Sequence, residues 1–164
     1  MKLTIIILFI VILIFPIQVS FGQNQTDPQI KEWRSIGSSL MQEGKFFEAI
    51  EYFDKILEVE PNDSIALGNK GAALTQLNKY EEALLIYDKA LQIDPTNINI
   101  LNNKAATLFN LGKIDESLQT LDNILEIEPS NVNVLILKGK VLSETKRYSE
   151  AFSIFKKALE FDPT

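Results

Sequence analysis

The stretch YEEALLIYDKALQIDP, residues 80–95, decides the fold, because three others like it stand at fixed distances along the chain. FFEAIEYFDKILEVEP occupies residues 46–61, IDESLQTLDNILEIEP residues 114–129 and YSEAFSIFKKALEFDP residues 148–163. Each ends on a proline, and Pro61, Pro95, Pro129 and Pro163 stand 34 residues apart. A period of this size marks a repeat architecture, whose single unit is too small to bury its own apolar face.

Working outward from that stretch, Leu67, Gly71, Leu74 and Leu77 fall three or four apart and predict a helix from about Ser64 to Leu77. Asn78-Lys79 makes a turn. A second helix follows from Tyr80 to Ile93, with Ala83, Ile86, Tyr87, Ala90 and Leu91 on its inward face. Asp94-Pro95 ends it, since proline pushes the residue before it out of helical geometry. Ser64, Asn97 and Asn131 are candidate caps for the helices they precede or begin.

Columns emerge when the four stretches are aligned. Small residues recur at Gly37, Gly71, Ala105 and Gly139, and again at Ala49, Ala83, Ser117 and Ala151. Large ones recur at Phe53, Tyr87, Leu121 and Phe155, and at Leu40, Leu74, Leu108 and Leu142. Small residues predict close approach of two antiparallel helices. These columns, with Trp33, Ala90, Ala158 and the closing prolines, resemble the tetratricopeptide repeat, a helix–turn–helix module of 34 residues. The resemblance covers residues 30–164, in units 30–63, 64–97, 98–131 and 132–164. It implies an all-α, right-handed α-solenoid whose function is to bind other proteins. The third unit departs furthest from the pattern.

The resemblance also implies that the first helix of each pair lines a concave groove. Reading the groove positions gives Arg34, Asn69, Gln76, Asn99, Asn102, Asn103, Phe109 and Asn133 as the candidate partner-binding set. Amides dominate it. A carboxamide both donates and accepts a hydrogen bond, which suits the backbone of an extended peptide whatever its sequence. Some repeats of this family grip a C-terminal carboxylate with several cations. Here the matching positions hold Arg34, Ser38, Asn69, Asn99 and Asn103, so the charge-assisted donors are missing and that mode is rejected. The opposite, convex side, with Lys79, Glu81, Glu82, Lys89, Lys113 and Glu116, reads as a solvated face.

Composition narrows the function classes. The chain of 164 residues has no Cys and no His, which removes disulfides, thiolate chemistry and the commonest general base and metal ligand. An enzyme is not expected, nor a cofactor or a metal. The net charge of −6 argues against nucleic acid or an anionic membrane surface as a partner, and the protein or peptide partner is what the resemblance implies.

The first 22 residues, MKLTIIILFIVILIFPIQVSFG, are a separate object. Lys2 precedes an apolar run from Leu3 to Phe15, Pro16 breaks it, and Ser20 and Gly22 stand before a plausible cut. That is the layout of a signal peptide, followed by a polar linker, residues 23–29. An uncleaved membrane anchor is the alternative, although a helix from Leu3 to Ile17 spans only about 22 Å against a hydrocarbon core of about 30 Å. Either way the repeat domain is expected outside the cytoplasm, extracellular or at the cell surface. Two sequons, at Asn24 and Asn62, would then be open to glycosylation.

At the other end the last helix has no successor in the repeat. Phe155, Leu159 and Phe161 are expected to leave an apolar strip, a candidate surface for self-association into a homodimer. The leading expectation is therefore a protein-binding adaptor. The rival is a membrane-tethered or self-associating scaffold.

Overall fold

The computed structural model describes residues 27–163, so the expected leader helix and the sequon at Asn24 lie outside the described residues. Within them the chain is all helix and turn. Eight helices run in order: α1 Pro28–Gln42, α2 Phe46–Val59, α3 Ser64–Gln76, α4 Tyr80–Ile93, α5 Ile98–Asn110, α6 Ile114–Ile127, α7 Val132–Glu144 and α8 Tyr148–Phe161.

The two helices of each unit begin by different chemistry. First helices start on a side-chain cap: Asp27, Asp63, Asn97 and Asn131 accept from the backbone N–H two or three residues on. Asp63, not Ser64, is the cap of α3. Second helices have no such cap. They start with acidic side chains in the first turn, where the positive end of the helix dipole favours them: Glu48, Glu81 with Glu82, Asp115 with Glu116, and Glu150.

The turn between the paired helices is the same device four times. The backbone N–H groups of Lys45, Lys79, Lys113 and Arg147 donate to the carbonyls of Leu40, Leu74, Leu108 and Leu142 at 2.8–2.9 Å, closing a Schellman-type loop. One residue in each loop must then turn left-handed. Gly44 (φ 75°) and Gly112 (φ 80°) do so without strain, whereas Asn78 (φ 60°) and Lys146 (φ 63°) carry a side chain there.

Packing explains the columns. A Cβ placed on Gly37, Gly71 or Gly139 would lie 2.7, 2.6 or 2.4 Å from a ring carbon of Phe53, Tyr87 or Phe155. Glycine is needed wherever the partner column holds a ring. Where it holds Leu121 instead, the first column carries Ala105, and the hydroxyl of Ser117 donates to the Ala105 carbonyl at 2.7 Å. The third unit's departures are therefore one correlated change.

The core is a string of three clusters, each crossing a unit boundary. Ile30, Ala49, Phe53 and Ile56 pack with Ala66; Leu67, Leu74, Ala83 and Tyr87 pack with Ile100; Leu101, Leu118, Leu121 and Ile124 pack with Val134 and Leu142. Each helix touches the next in the chain, and α1, α3 and α5 also touch in succession. The result is an open array with the first helices as its inner layer, as nearest-neighbour stacking requires.

Ion pairs repeat with the same period. Lys70 meets Asp54 at 2.5 Å and Lys104 meets Asp88 at 2.6 Å. Lys138 meets Asp122 in the same way. Each rung joins a first helix to the second helix before it.

Candidate functional site

On the inner layer, α3 and α5 approach so closely that a Cβ on Gly68 would sit 2.9 Å from Cγ1 of Ile100. Gly68, Ile65 and Ile100 make the floor of a depression of about 210 Å³, and Asn69, Asn97, Asn99 and Asn103 line it. Asn97 is committed to structure. Its Oδ1 accepts from the Ile100 N–H at 3.3 Å, and its Nδ2 donates to Asp94 at 2.9 Å. The carboxamides of Asn69, Asn99 and Asn103 make no hydrogen bond among the described residues, so their donors and acceptors are open to a ligand.

Asn103 is also held from behind. The buried Tyr87 and Thr107 and the half-buried Thr75 form a hydroxyl chain, with 3.2 Å between Tyr87 and Thr75 and 2.8 Å between Thr75 and Thr107. Thr107 donates to the Asn103 carbonyl at 2.7 Å. Tyr87 can donate to Thr75, while the Thr75 hydroxyl has two acceptors in reach, the Gly71 carbonyl at 3.0 Å and Thr107. Burial pushes the Tyr87 phenol above its usual range, and the two threonine hydroxyls only partly offset that. The phenol stays neutral and ties the core of the second unit to the α5 backbone.

The candidate set thus divides. Asn69, Asn99 and Asn103 come together. Gln76 is exposed near the far end of α3, about 10 Å along the helix from Asn69 at about 1.5 Å per residue. Asn102 is half-buried and Asn133 is exposed on α7, and neither lines the depression. Phe109 packs against the cluster around Leu101 and Leu142. Arg34 is engaged elsewhere: its guanidinium donates to both carboxylate oxygens of Asp63, at 2.5 and 3.4 Å. Burial alone would raise the Asp63 pKa, yet the Arg34 guanidinium and the Ala66 N–H outweigh it and hold the carboxyl below its ordinary range. Arg34 ties α1 to the cap of α3.

On the outer face Lys79, Glu81, Glu82, Lys89, Lys113 and Glu116 are exposed, as the sequence reading expects, and apolar depressions lie among them. Between successive second helices lie two larger depressions, one of about 510 Å³ lined by Leu84, Leu85, Leu108 and Leu111, the other of about 390 Å³ lined by Phe47, Ile50, Leu74 and Leu77. They are one groove repeated with the 34-residue period, rimmed by the charges that suggested solvation. Phe47 and Leu85, 67% and 65% exposed, were the available signal, since nothing in the helix pair itself requires large apolar residues there. Asn62 is exposed in the α2–α3 turn.

Chemically the inner depression can bind but offers no reacting group. Among the described residues no group of three or more carboxylates is placed to hold a metal ion, and no helix is long and apolar enough to cross a membrane.

Comparison with known proteins agrees with this architecture. Three family models, each described as tetratricopeptide repeat, match residues 35–98, 74–141 and 132–164. No curated protein matches the chain. The solved structure of MamA from residue 41 to its end, from Desulfovibrio magneticus RS-1, is similar at 24% identity and TM-score 0.73, over 84% of this chain and 77% of that one. A tetratricopeptide repeat protein from Parabacteroides merdae is similar at 25% identity and TM-score 0.74, over 84% of this chain and 55% of that one. The first TPR of Spaghetti (RPAP3), bound to the HSP90 peptide SRMEEVD, is similar at 21% identity and TM-score 0.67, over 72% of this chain and 96% of that one. The likeness to these structures is one of fold. With three family models running together from residue 35 to residue 164, over units joined by one repeated turn and one repeated ion pair, the chain belongs to the tetratricopeptide repeat family, whose fold serves protein–protein interaction.

Proposed function

We propose that this protein is a non-catalytic interaction module that holds an extended peptide or protein segment against the inner face of α3 and α5. One observation carries the reading: three unengaged carboxamides surround a single glycine-floored depression. Gly68 lets Ile100 pack tightly against α3 at the base of the depression, and the amides of Asn69, Asn99 and Asn103 can each meet a peptide N–H or C=O. Recognition is then of main chain more than side chain. The RPAP3 structure supports the general mode, since its TPR holds a peptide. The detail differs here, because Arg34 lies outside the cleft, paired with Asp63, and no cation lines it.

Peptides selected by display against the full chain provide the test. The Asn69/Asn99/Asn103→Ala triple variant is expected to bind them at least tenfold more weakly with unchanged helicity. Equal binding would end the cleft reading.

The site of action is proposed to be outside the cytoplasm, supported by the signal-like order of charge, apolar run, proline and small residues in residues 1–22. N-terminal sequencing of protein from the native host separates a cleaved form beginning near Gln23 from a retained anchor. A cytoplasmic protein with an intact Met1 would overturn both.

A further inference from the structure

The amide cleft lies on one seam of the inner layer, and the residues that close that seam recur at no other. Gly68 of α3 meets Ile100 of α5 at the floor of the cleft. Seven residues further along both helices, roughly 10 Å at about 1.5 Å per residue, the Thr75 and Thr107 hydroxyls stand 2.8 Å apart. At the equivalent positions the α1–α3 seam has Arg34 with Ala66 and Met41 with Ala73. The α5–α7 seam has Asn102 with Val134 and Phe109 with Val141. Neither offers a glycine at the first point or two hydroxyls at the second.

The two points constrain the seam differently. A glycine against an isoleucine sets how near the helices come, but apolar contact is non-directional and leaves α3 free to pivot over α5. A hydroxyl bond fixes distance and direction together. Thr107 is fully buried and cannot turn to water. The half-buried Thr75 is steadied from two further sides, by the Gly71 carbonyl of its own helix at 3.0 Å and by the Tyr87 phenol at 3.2 Å. Asn69 directly follows Gly68 on α3, and Asn103 lies between the two points on α5, its carbonyl accepting from Thr107 at 2.7 Å.

We infer that Thr75 and Thr107 are positioning residues of the amide cleft. Their hydroxyl bond fixes the angle at which α3 crosses α5, and with it the span between Asn69 and the pair Asn99 and Asn103 that a ligand must match. Neither threonine lines the depression, so both act through the amides. The inference rests on the peptide reading of the cleft for its ligand but not for its geometry, and the two can fail separately.

Two measurements on the full chain test it. The chain has no cysteine, so spin labels on Gln76→Cys and Asn110→Cys report the distance between the exposed far ends of α3 and α5 without any ligand. That distance is expected to lengthen and broaden in Thr107→Val and to return in Thr107→Ser, which keeps the hydroxyl. Thr75→Val, at the half-buried end of the bond, should act in the same way and serves if Thr107→Val does not fold. Display-selected peptides should bind either valine variant about fivefold more weakly, with wild-type affinity in Thr107→Ser. Ser117→Ala is the control, because it removes a buried hydroxyl bond of 2.7 Å between α6 and α5, outside the seam. It should lower stability without weakening binding. An unchanged label distance or affinity in the valine variants, a serine variant that restores nothing, or equal weakening by Ser117→Ala overturns the inference. If no peptide binds the wild-type chain, the peptide reading falls and the label distance alone decides this one.

Discussion

Helices α4 and α8 follow the same repeat pattern in sequence and are opposites in environment. Tyr87 and Phe155 hold the same position, each lying on a glycine of its own unit. Tyr87 is fully buried because α5 covers it, whereas Phe155 is half-buried because among the described residues no following helix lies over it. Leu118 of α6 is 6% exposed, and its equivalent Phe152 is 74% exposed. The difference teaches that burial in this molecule is conferred by the following unit, so equivalent positions have different energetic worth along the array.

The largest expected effect breaks or upholds that comparison directly. Tyr87→Ala should cost about 3–5 kcal/mol by chemical denaturation, as for a buried aromatic residue, and Phe155→Ala less than half as much. Equal losses would mean that α8 is covered after all. Next comes the glycine beneath each ring. Gly71→Ala should destabilise by about 1–3 kcal/mol, because Tyr87 is enclosed and cannot give way. Gly139→Ala should be close to neutral, since Phe155 can swing outward; similar melting shifts for both variants would contradict this.

The opposite end of the array sharpens the comparison through charge. Asp63→Asn keeps the cap but loses the ion pair with Arg34, and should cost about 1 kcal/mol at neutral pH, partly offset by solvent around Arg34. The sign with pH follows from the depressed Asp63 pKa. Its contribution is fully present above the unfolded carboxylate value of about 4 and fades as pH falls through the lower folded value. The gap between wild type and Asp63→Asn should therefore close in acid, and a gap that widens there would refute the assignment. The smallest effect is expected at the turn into α8. Lys146→Gly should stabilise by about 0.5–1 kcal/mol by relieving a left-handed lysine, against no such gain available at Gly112 in the turn before α6.

Much of this was legible before the structure. The expectation of a helix from Tyr80 to Ile93 and a turn at Asn78-Lys79 agrees with what is observed, and the first helix of that unit ends one residue sooner than read. The bare last helix was read from Phe155, Leu159 and Phe161, and the structure redraws its membership. Phe161 is 48% exposed, but Val59, Ile93 and Ile127 at the same position are 55%, 42% and 43% exposed in units that do have a successor. Its exposure says nothing about a missing neighbour. Tyr148 and Phe152 carry that signal instead. They were missed because the pattern within α8 does not show which apolar residues its own unit covers.

The candidate cleft was half legible. Asn69, Asn99 and Asn103 were named from their positions in the repeat and do share one depression. Arg34 was named by the same logic, and its engagement by Asp63 depends on a residue 29 positions away in the next unit.

Helix, turn and boundary are local matters, set by hydrogen bonds four or five residues long and by caps two or three residues from their targets, so the amino-acid sequence alone determined them. Which amides stay open, which cation is already engaged and which aromatic ring meets solvent are set where neighbouring units touch, and only the stacked array could decide them.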